Sequence, residues 1–138
     1  EMAERFQTQT DQHKIVVQFP DEFPVIVGDE NRLEQVFYNL LSNAVKYSPE
    51  GGEISISGQI RSEQIIICIQ DQGTGISQED VPHIFDRFFR AVEAAKNTQG
   101  AGLGLYLSRA IIEAHNGRIW IEPRQETGTR VCFSVSRE

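Results

Sequence analysis

The sequence predicts an α+β fold, a two-layer α/β sandwich in which a mixed, mostly antiparallel sheet of about five strands packs on three helices. Three observations predict it. Residues 31–47 and 103–115 carry apolar residues at helical spacing, and five short apolar or alternating runs read as strands. Strand and helix patterns alternate irregularly, with hairpin-like joints at residues 58–63 and 123–128. At 138 residues and 39% hydrophobic content, the chain is long enough for one core and short for two, so a single domain spanning 1–138 is expected.

Residues 1–12 form a short helical pattern, and residues 14–19 (KIVVQF) read as a strand before a turn marked by Pro20 and Pro24. Val25 to Val27 makes a second short extended piece. Asp29 is a fair N-cap for the long helix that follows. In that helix Leu33, Val36, Phe37, Leu40, Leu41, Ala44 and Val45 commit one face to a core. Arg32, Asn39, Asn43 and Lys46 fall in a row roughly 60° wide along the edge of that face. Asparagine is a poor mid-helix choice, because its amide competes for backbone hydrogen bonds. A solvated flank is the plain reading of this row alone, and the remainder of the chain argues for a ligand edge.

The helix ends at Ser48-Pro49-Glu50-Gly51-Gly52, where proline and paired glycines cannot continue it. Residues 53–57 alternate, as a half-exposed strand does, whereas residues 64–70 (QIIICIQ) are nearly continuous in apolar side chains and read as central. Between about residues 76 and 101 the pattern weakens, with Pro82 inside and short helical turns near residues 84–89 and 91–96, which suggests a mobile lid. The second long helix closes at Asn116-Gly117 in a left-handed cap. Runs at 119–121 and 131–135 complete the sheet.

The charge balance is acidic, Asp+Glu 20 against Lys+Arg 13, and no basic block interrupts it, which disfavours a nucleic-acid partner. No apolar run approaches the roughly 20 residues that span a bilayer, and the acidic start does not resemble a signal peptide. Cys68 and Cys132 lie in apolar strand-like runs without metal-ligand spacing. They are expected to be reduced core residues of a cytosolic protein.

Two glycine signals stand out. Asp71-Gln-Gly73-Thr-Gly75-Ile76 follows the central strand, placing a carboxylate at a strand end where glycines let a ligand approach the backbone. Gly100-Ala-Gly102-Leu-Gly104-Leu105 runs into the second helix, whose first N–H groups and dipole favour phosphate. It lacks the Lys-Ser/Thr of a Walker loop and does not follow a strand.

NLLSNAVKYS, DQGTGI, IFDRFFR and GAGLGLYLS occur in that order, and with Gly128-Thr129 they make the chain resemble the catalytic ATP-binding domain of sensor histidine kinases. That group lies within the wider gyrase, Hsp90, histidine kinase and MutL superfamily. The resemblance covers about residues 14–135 and implies the Bergerat ATP-binding fold, with ATP and Mg2+ as ligands. It implies that Asp71 accepts a hydrogen bond from the adenine amino group while Thr129 supports that end of the pocket. Asn43 would hold Mg2+ through its amide oxygen, Asn39 would support the metal's water shell, Lys46 would meet phosphate and Tyr47 would flank the nucleoside. Gly100, Gly102, Leu103, Gly104 and Leu105 would wrap the phosphates, and Gly73, Gly75 and Ile76 would border the base and permit lid movement. Phe85, Phe88 and Phe89 are read as packing or docking residues. Arg87 and Arg90 either neutralise the γ-phosphate, contact a partner, or are surface arginines. Ala101 departs from the Thr or Ser common in the family, so a hydroxyl contact is absent there.

In hydrolysing relatives the position one helical turn before the metal asparagine is a glutamate acting as general base; here it is Asn39, and an amide is no useful base near neutral pH. Glu34 lies five residues earlier, roughly 140° around the helix. The expected activity is therefore a protein-histidine kinase domain that presents the γ-phosphate of Mg-ATP to a histidine on a separate dimerisation and phosphoacceptor domain. That domain and a sensor domain are expected outside this chain, since His13, His83 and His115 do not lie in the family's phosphoacceptor segment. A response regulator would be reached through that domain, the parent would be homodimeric, and this part would be cytoplasmic without membrane contact. The alternatives are a nucleotide-binding regulatory module without phosphotransfer and a hydrolysing ATPase of the gyrase or Hsp90 type.

Overall fold

The computed structural model describes residues 13–19, 28–47, 51–73, 83–85, 104–122 and 128–136. The expected helix at 1–12, the extended piece at 25–27 and nearly all of the lid at 76–101 lie outside the described residues.

Strand β1 (His13–Gln18) is followed by helix α1 (Glu30–Tyr47), strands β2 (Gly52–Ile60) and β3 (Gln64–Gln70), helix α2 (Gly104–Ala114), and strands β4 (Ile119–Glu122) and β5 (Arg130–Ser136). The five strands form one sheet in the order β1-β2-β3-β5-β4. β1 and β2 are parallel, and α1 lies between them in the chain, as a parallel neighbour requires a long connection. The other three pairings are antiparallel. This is the mixed, mostly antiparallel sheet that the sequence predicts, with two helices among the described residues.

Alternation along the strands sorts the side chains into two faces. Ile54, Ile56, Ile65, Ile67, Ile69, Phe133 and Val135 are buried in one core with Leu33, Val36, Leu40, Leu41 and Ala44 of α1 and with Leu105 and Ile112 of α2. Each fully buried isoleucine contributes about 1.5–3 kcal/mol relative to exposure. Phe37 packs edge-on to Phe133 at a centroid distance of 5.6 Å, an arrangement worth about 0.5–1.5 kcal/mol beyond area. Ile84 is buried and Phe85 half-buried against the same core, as the packing reading of Phe85 expects.

The helix ends are set by local chemistry. Asp29 caps α1, its Oδ1 accepting the Arg32 N–H at 3.2 Å and its carbonyl accepting the Leu33 N–H at 2.9 Å. Beyond α2, Asn116 adopts φ 61° and Gly117 N–H donates to the Ile112 carbonyl at 2.9 Å, which is the left-handed stop expected of Asn-Gly. A Cβ on Gly117 would overlap the Ser134 carbonyl, so glycine also lets the turn lie against β5. His115 joins the two helices: its Nδ1 meets the Ile111 carbonyl at 2.8 Å and its Nε2 accepts the Asp29 N–H at 3.0 Å. It is structural, as expected.

One expectation is corrected. Cys68 and Cys132 are not separate reduced thiols; they are joined by a disulfide between β3 and β5. The strand register places them directly opposite one another with Cα atoms 4.1 Å apart, the close spacing of a non-hydrogen-bonded antiparallel pair. They alternate with the core isoleucines and so occupy the sheet face away from the helices.

Candidate functional site

β3 ends where β5 begins, and the two ends are locked together by Asp71 and Thr129. The Asp71 N–H donates to the Thr129 carbonyl at 2.9 Å, and the Thr129 N–H donates back to Asp71 Oδ1 at 3.1 Å. Gly73 N–H adds a second donor to Oδ1 at 2.9 Å, the side-chain turn that an Asp two residues before a glycine favours. Both residues are buried, Asp71 at 3% exposure and Thr129 at 5%. A carboxylate at this depth is tolerated only with hydrogen-bond donors around it, and the main chain supplies two. Thr129 Oγ1 is buried as well, and no described group pairs with it.

That hydroxyl and carboxylate close one end of a narrow cleft with about 10 Å³ of accessible space, partly open to solvent, lined by Leu40, Asn43, Ala44, Ile69, Leu105 and Val131 as well as Asp71 and Thr129. Its walls are apolar and its polar groups few. Aliphatic walls with a fixed carboxylate and a hydroxyl at one end are the kind of lining found in small-molecule sites.

Asn43 enters the cleft from α1. Its Nδ2 donates to the Asn39 carbonyl at 3.0 Å, which leaves the amide oxygen as an available acceptor. Asn39, one turn earlier, does not line the cleft; its Nδ2 lies 3.4 Å from the Oγ of fully buried Ser108 on α2, tying the two helices together. Leu105 sits in the first turn of α2 and lines the cleft, with Gly104 beginning the helix. Lys46 and Tyr47 are in the last turn of α1, and Gly73 borders Asp71. Gly75, Ile76, Arg87, Arg90, Gly100, Gly102 and Leu103 lie outside the described residues. The structure thus brings together Asn43, Asp71, Leu105 and Thr129. It adds Leu40, Ala44, Ile69 and Val131 as walls, which sequence reading assigns only to the core because their spacing serves both purposes.

Residues 28–138 match the model of the family described as histidine kinase-, DNA gyrase B-, and HSP90-like ATPase. The chain belongs to that family. It is 35% identical to sensor histidine kinase WalK of Bacillus subtilis, over 97% of this chain and 23% of that protein. It is 37% identical to the adaptive-response sensory kinase SasA of a Nostoc strain, over 98% of this chain and 33% of that one. The chain therefore spans about a quarter to a third of these relatives. Among solved structures, this ATPase-family domain superposes on the mycobacterial sensor histidine kinase MprB with a TM-score of 0.88 and 27% identity, covering 99% of this chain and 91% of that one. It superposes on the catalytic domain of histidine kinase ThkA with a TM-score of 0.81 and 28% identity, covering 97% and 86%. Family and fold together identify it as a histidine kinase-type ATPase domain, with the α+β architecture expected.

Proposed function

We propose that this domain binds Mg-ATP and donates the γ-phosphate to a histidine on a separate dimerisation and phosphoacceptor domain of the same sensor kinase. The observation that carries the nucleotide reading is the buried, unpartnered Thr129 hydroxyl beside the main-chain-clamped carboxylate of Asp71. An unsatisfied buried hydroxyl costs about 1–3 kcal/mol, which a ligand edge or a bridging water recovers. Adenine supplies an amino donor to Asp71. Guanine would set an oxygen against the carboxylate in a dry pocket, a mismatch of several kcal/mol.

Asn43, with its amide nitrogen held by the Asn39 carbonyl, offers one neutral oxygen ligand. That suits Mg2+, which keeps several waters and needs only one or two protein oxygens. When bound, Mg2+ supplies positive charge to the phosphate oxygens. The first turn of α2 holds phosphate through N–H groups at its dipole end, with Lys46 and the glycines before the helix assisting. Leu40, Ala44, Ile69, Leu105 and Val131 exclude water from the ring. Arg87 and Arg90 are proposed for the γ-phosphate or the partner domain.

Asn39 favours the kinase reading over the hydrolase one. It is an amide bonded to Ser108, and the nearest carboxylate on α1, Glu34, does not line the cleft. Among the described residues no α1 side chain in the cleft takes a proton from water, which supports activation of the acceptor by the partner domain. On this reading the parent is homodimeric, passes phosphate onward to a response regulator, and keeps this domain in the cytoplasm; none of the described helices is long and apolar enough to cross a membrane.

The test is ATP binding by this chain with Mg2+, a phosphate-release assay on the same sample, and then addition of the parent's phosphoacceptor domain with labelled ATP. Binding, negligible release, and label appearing on the added histidine are expected. Steady release without the partner would place the domain with the hydrolysing branch, and binding with no labelling would reduce it to a regulatory nucleotide module.

A further inference from the structure

On the face of the sheet away from the helices, two side-chain rows cross β3, β5 and β4. Cys68, Cys132 and Trp120 occupy one, and Gln70, Arg130 and Glu122 the next. The second row is bonded along its length, Arg130 Nη1 to Gln70 Oε1 at 3.0 Å and Arg130 Nε to Glu122 Oε1 at 2.7 Å. One residue further along β3 and β5 stand Asp71 and Thr129. The disulfide therefore lies three residues, about 10 Å, from the polar end of the cleft along each of the strands that form it.

We propose that Cys68 and Cys132 are a thiol–disulfide site whose redox state sets the firmness of the Asp71–Thr129 junction and, resting on the ATP reading above, the affinity for nucleotide. The covalent link fixes β3 against β5 three register steps from the junction. Reduction returns that span to main-chain hydrogen bonds and the Gln70–Arg130 contact alone. Oxidation by glutathione disulfide balances as follows: the two protein thiols lose two electrons and two protons, the Sγ–Sγ bond forms, the glutathione S–S bond breaks, and two glutathione thiols leave. The sulfurs are sealed, Cys68 at 3% exposure and Cys132 at none, so exchange waits on opening of the sheet. β4, a four-residue edge strand with Trp120 opposite Cys132, is the sheet edge nearest the sulfurs. By linkage, whatever factor oxidation adds to nucleotide affinity, nucleotide adds to the disulfide's formation constant.

The test equilibrates this chain in glutathione buffers of set ratio and reads thiol state by alkylation and mass. A chelator is present throughout, because the two sulfurs and a Glu122 carboxylate oxygen lie within 4.8 Å of one another and freed thiols would take a metal. Hydrogen exchange at the Thr129 and Gly73 amides is then compared in the two states, followed by titration with a non-hydrolysable ATP analogue. Expected are a disulfide in the folded chain, exchange about tenfold faster on reduction, and analogue affinity about fivefold lower. Cys68→Ala should exchange at the reduced rate whatever the buffer; if it does not fold, the wild-type pair of states decides alone. Both cysteines alkylated in oxidised buffer, or equal exchange in the two states, would overturn the proposal. Faster exchange with equal analogue affinity would overturn its coupling to nucleotide. Faster exchange with no analogue bound in either state would sink the ATP reading while leaving the clamp in place.

Discussion

Asp71 and Thr129 are both buried at the same strand junction, yet their side chains are unequally provided for. Asp71 Oδ1 has two main-chain donors, whereas Thr129 Oγ1 has no described partner. A residue present only for packing would not leave a hydroxyl in that condition, since valine has the same shape without the desolvation penalty. Thr129→Val is therefore expected to act in opposite directions on two measurements. Stability of the free chain should rise by about 1 kcal/mol, because a buried unsatisfied group is removed. Affinity for ATP should fall by a similar amount, because the pocket end loses its hydroxyl. Urea unfolding and calorimetric titration of the same preparation read both. A loss of stability would show that the hydroxyl is satisfied in the free protein, and unchanged affinity would remove it from the base site. The Asp-Gly turn was legible in the sequence because carboxylate and glycines are local to one another. Thr129 was legible only through resemblance, since its partner lies 58 residues away.

At the scale of elements, what the chain's periodicity encodes and what tertiary pairing adds separate cleanly. β3 spans residues 64–70 as read, because a continuous apolar run needs no partner to be recognised. The alternating pattern marks β2 only over residues 53–57, and the strand runs to Ile60 because Gly58, Gln59 and Ile60 pair with Ile67, Ile66 and Ile65 of its neighbour. The disulfide was missed for the same reason: two cysteines 64 residues apart become opposite only through strand register. The His115 bridge between helices is likewise tertiary, and it explains a glycine. A Cβ on Gly28 would stand 2.6 Å from His115 Cδ2 and 2.9 Å from its Nε2, so the backbone before the α1 cap is bare where the imidazole lies. Gly28→Ala must push the ring off the Asp29 N–H or shift the start of α1. A fall in stability of about 1–2 kcal/mol is expected, in the range for a lost hydrogen bond with local overpacking. The urea midpoint measures it; an unchanged midpoint would show that the imidazole has room to give and does not hold the two helices in register.

For the molecule as a whole, the cleft shares its walls with the core. Leu40 and Ala44 of α1, Ile69 of β3, Leu105 of α2 and Val131 of β5 line it, and the same residues are in or against the hydrophobic cluster. Nucleotide bound there touches every layer at once, so its binding free energy should add to global unfolding and not to the opening of one loop. At about 100 times Kd the gain is about 2.7 kcal/mol, which for a domain of this size raises the melting temperature by on the order of 10 °C. Heating with an ATP analogue and Mg2+, followed by calorimetry, should show one transition displaced upward as a unit. The guanine analogue at the same concentration should move it by no more than about 2 °C, because its oxygen faces Asp71 in a desolvated slot. A second transition unaffected by ligand would mean that the site belongs to a separately unfolding part. Equal shifts with the two purines would mean that the Asp71–Thr129 end does not read the base, leaving phosphate contacts as the source of whatever affinity remains.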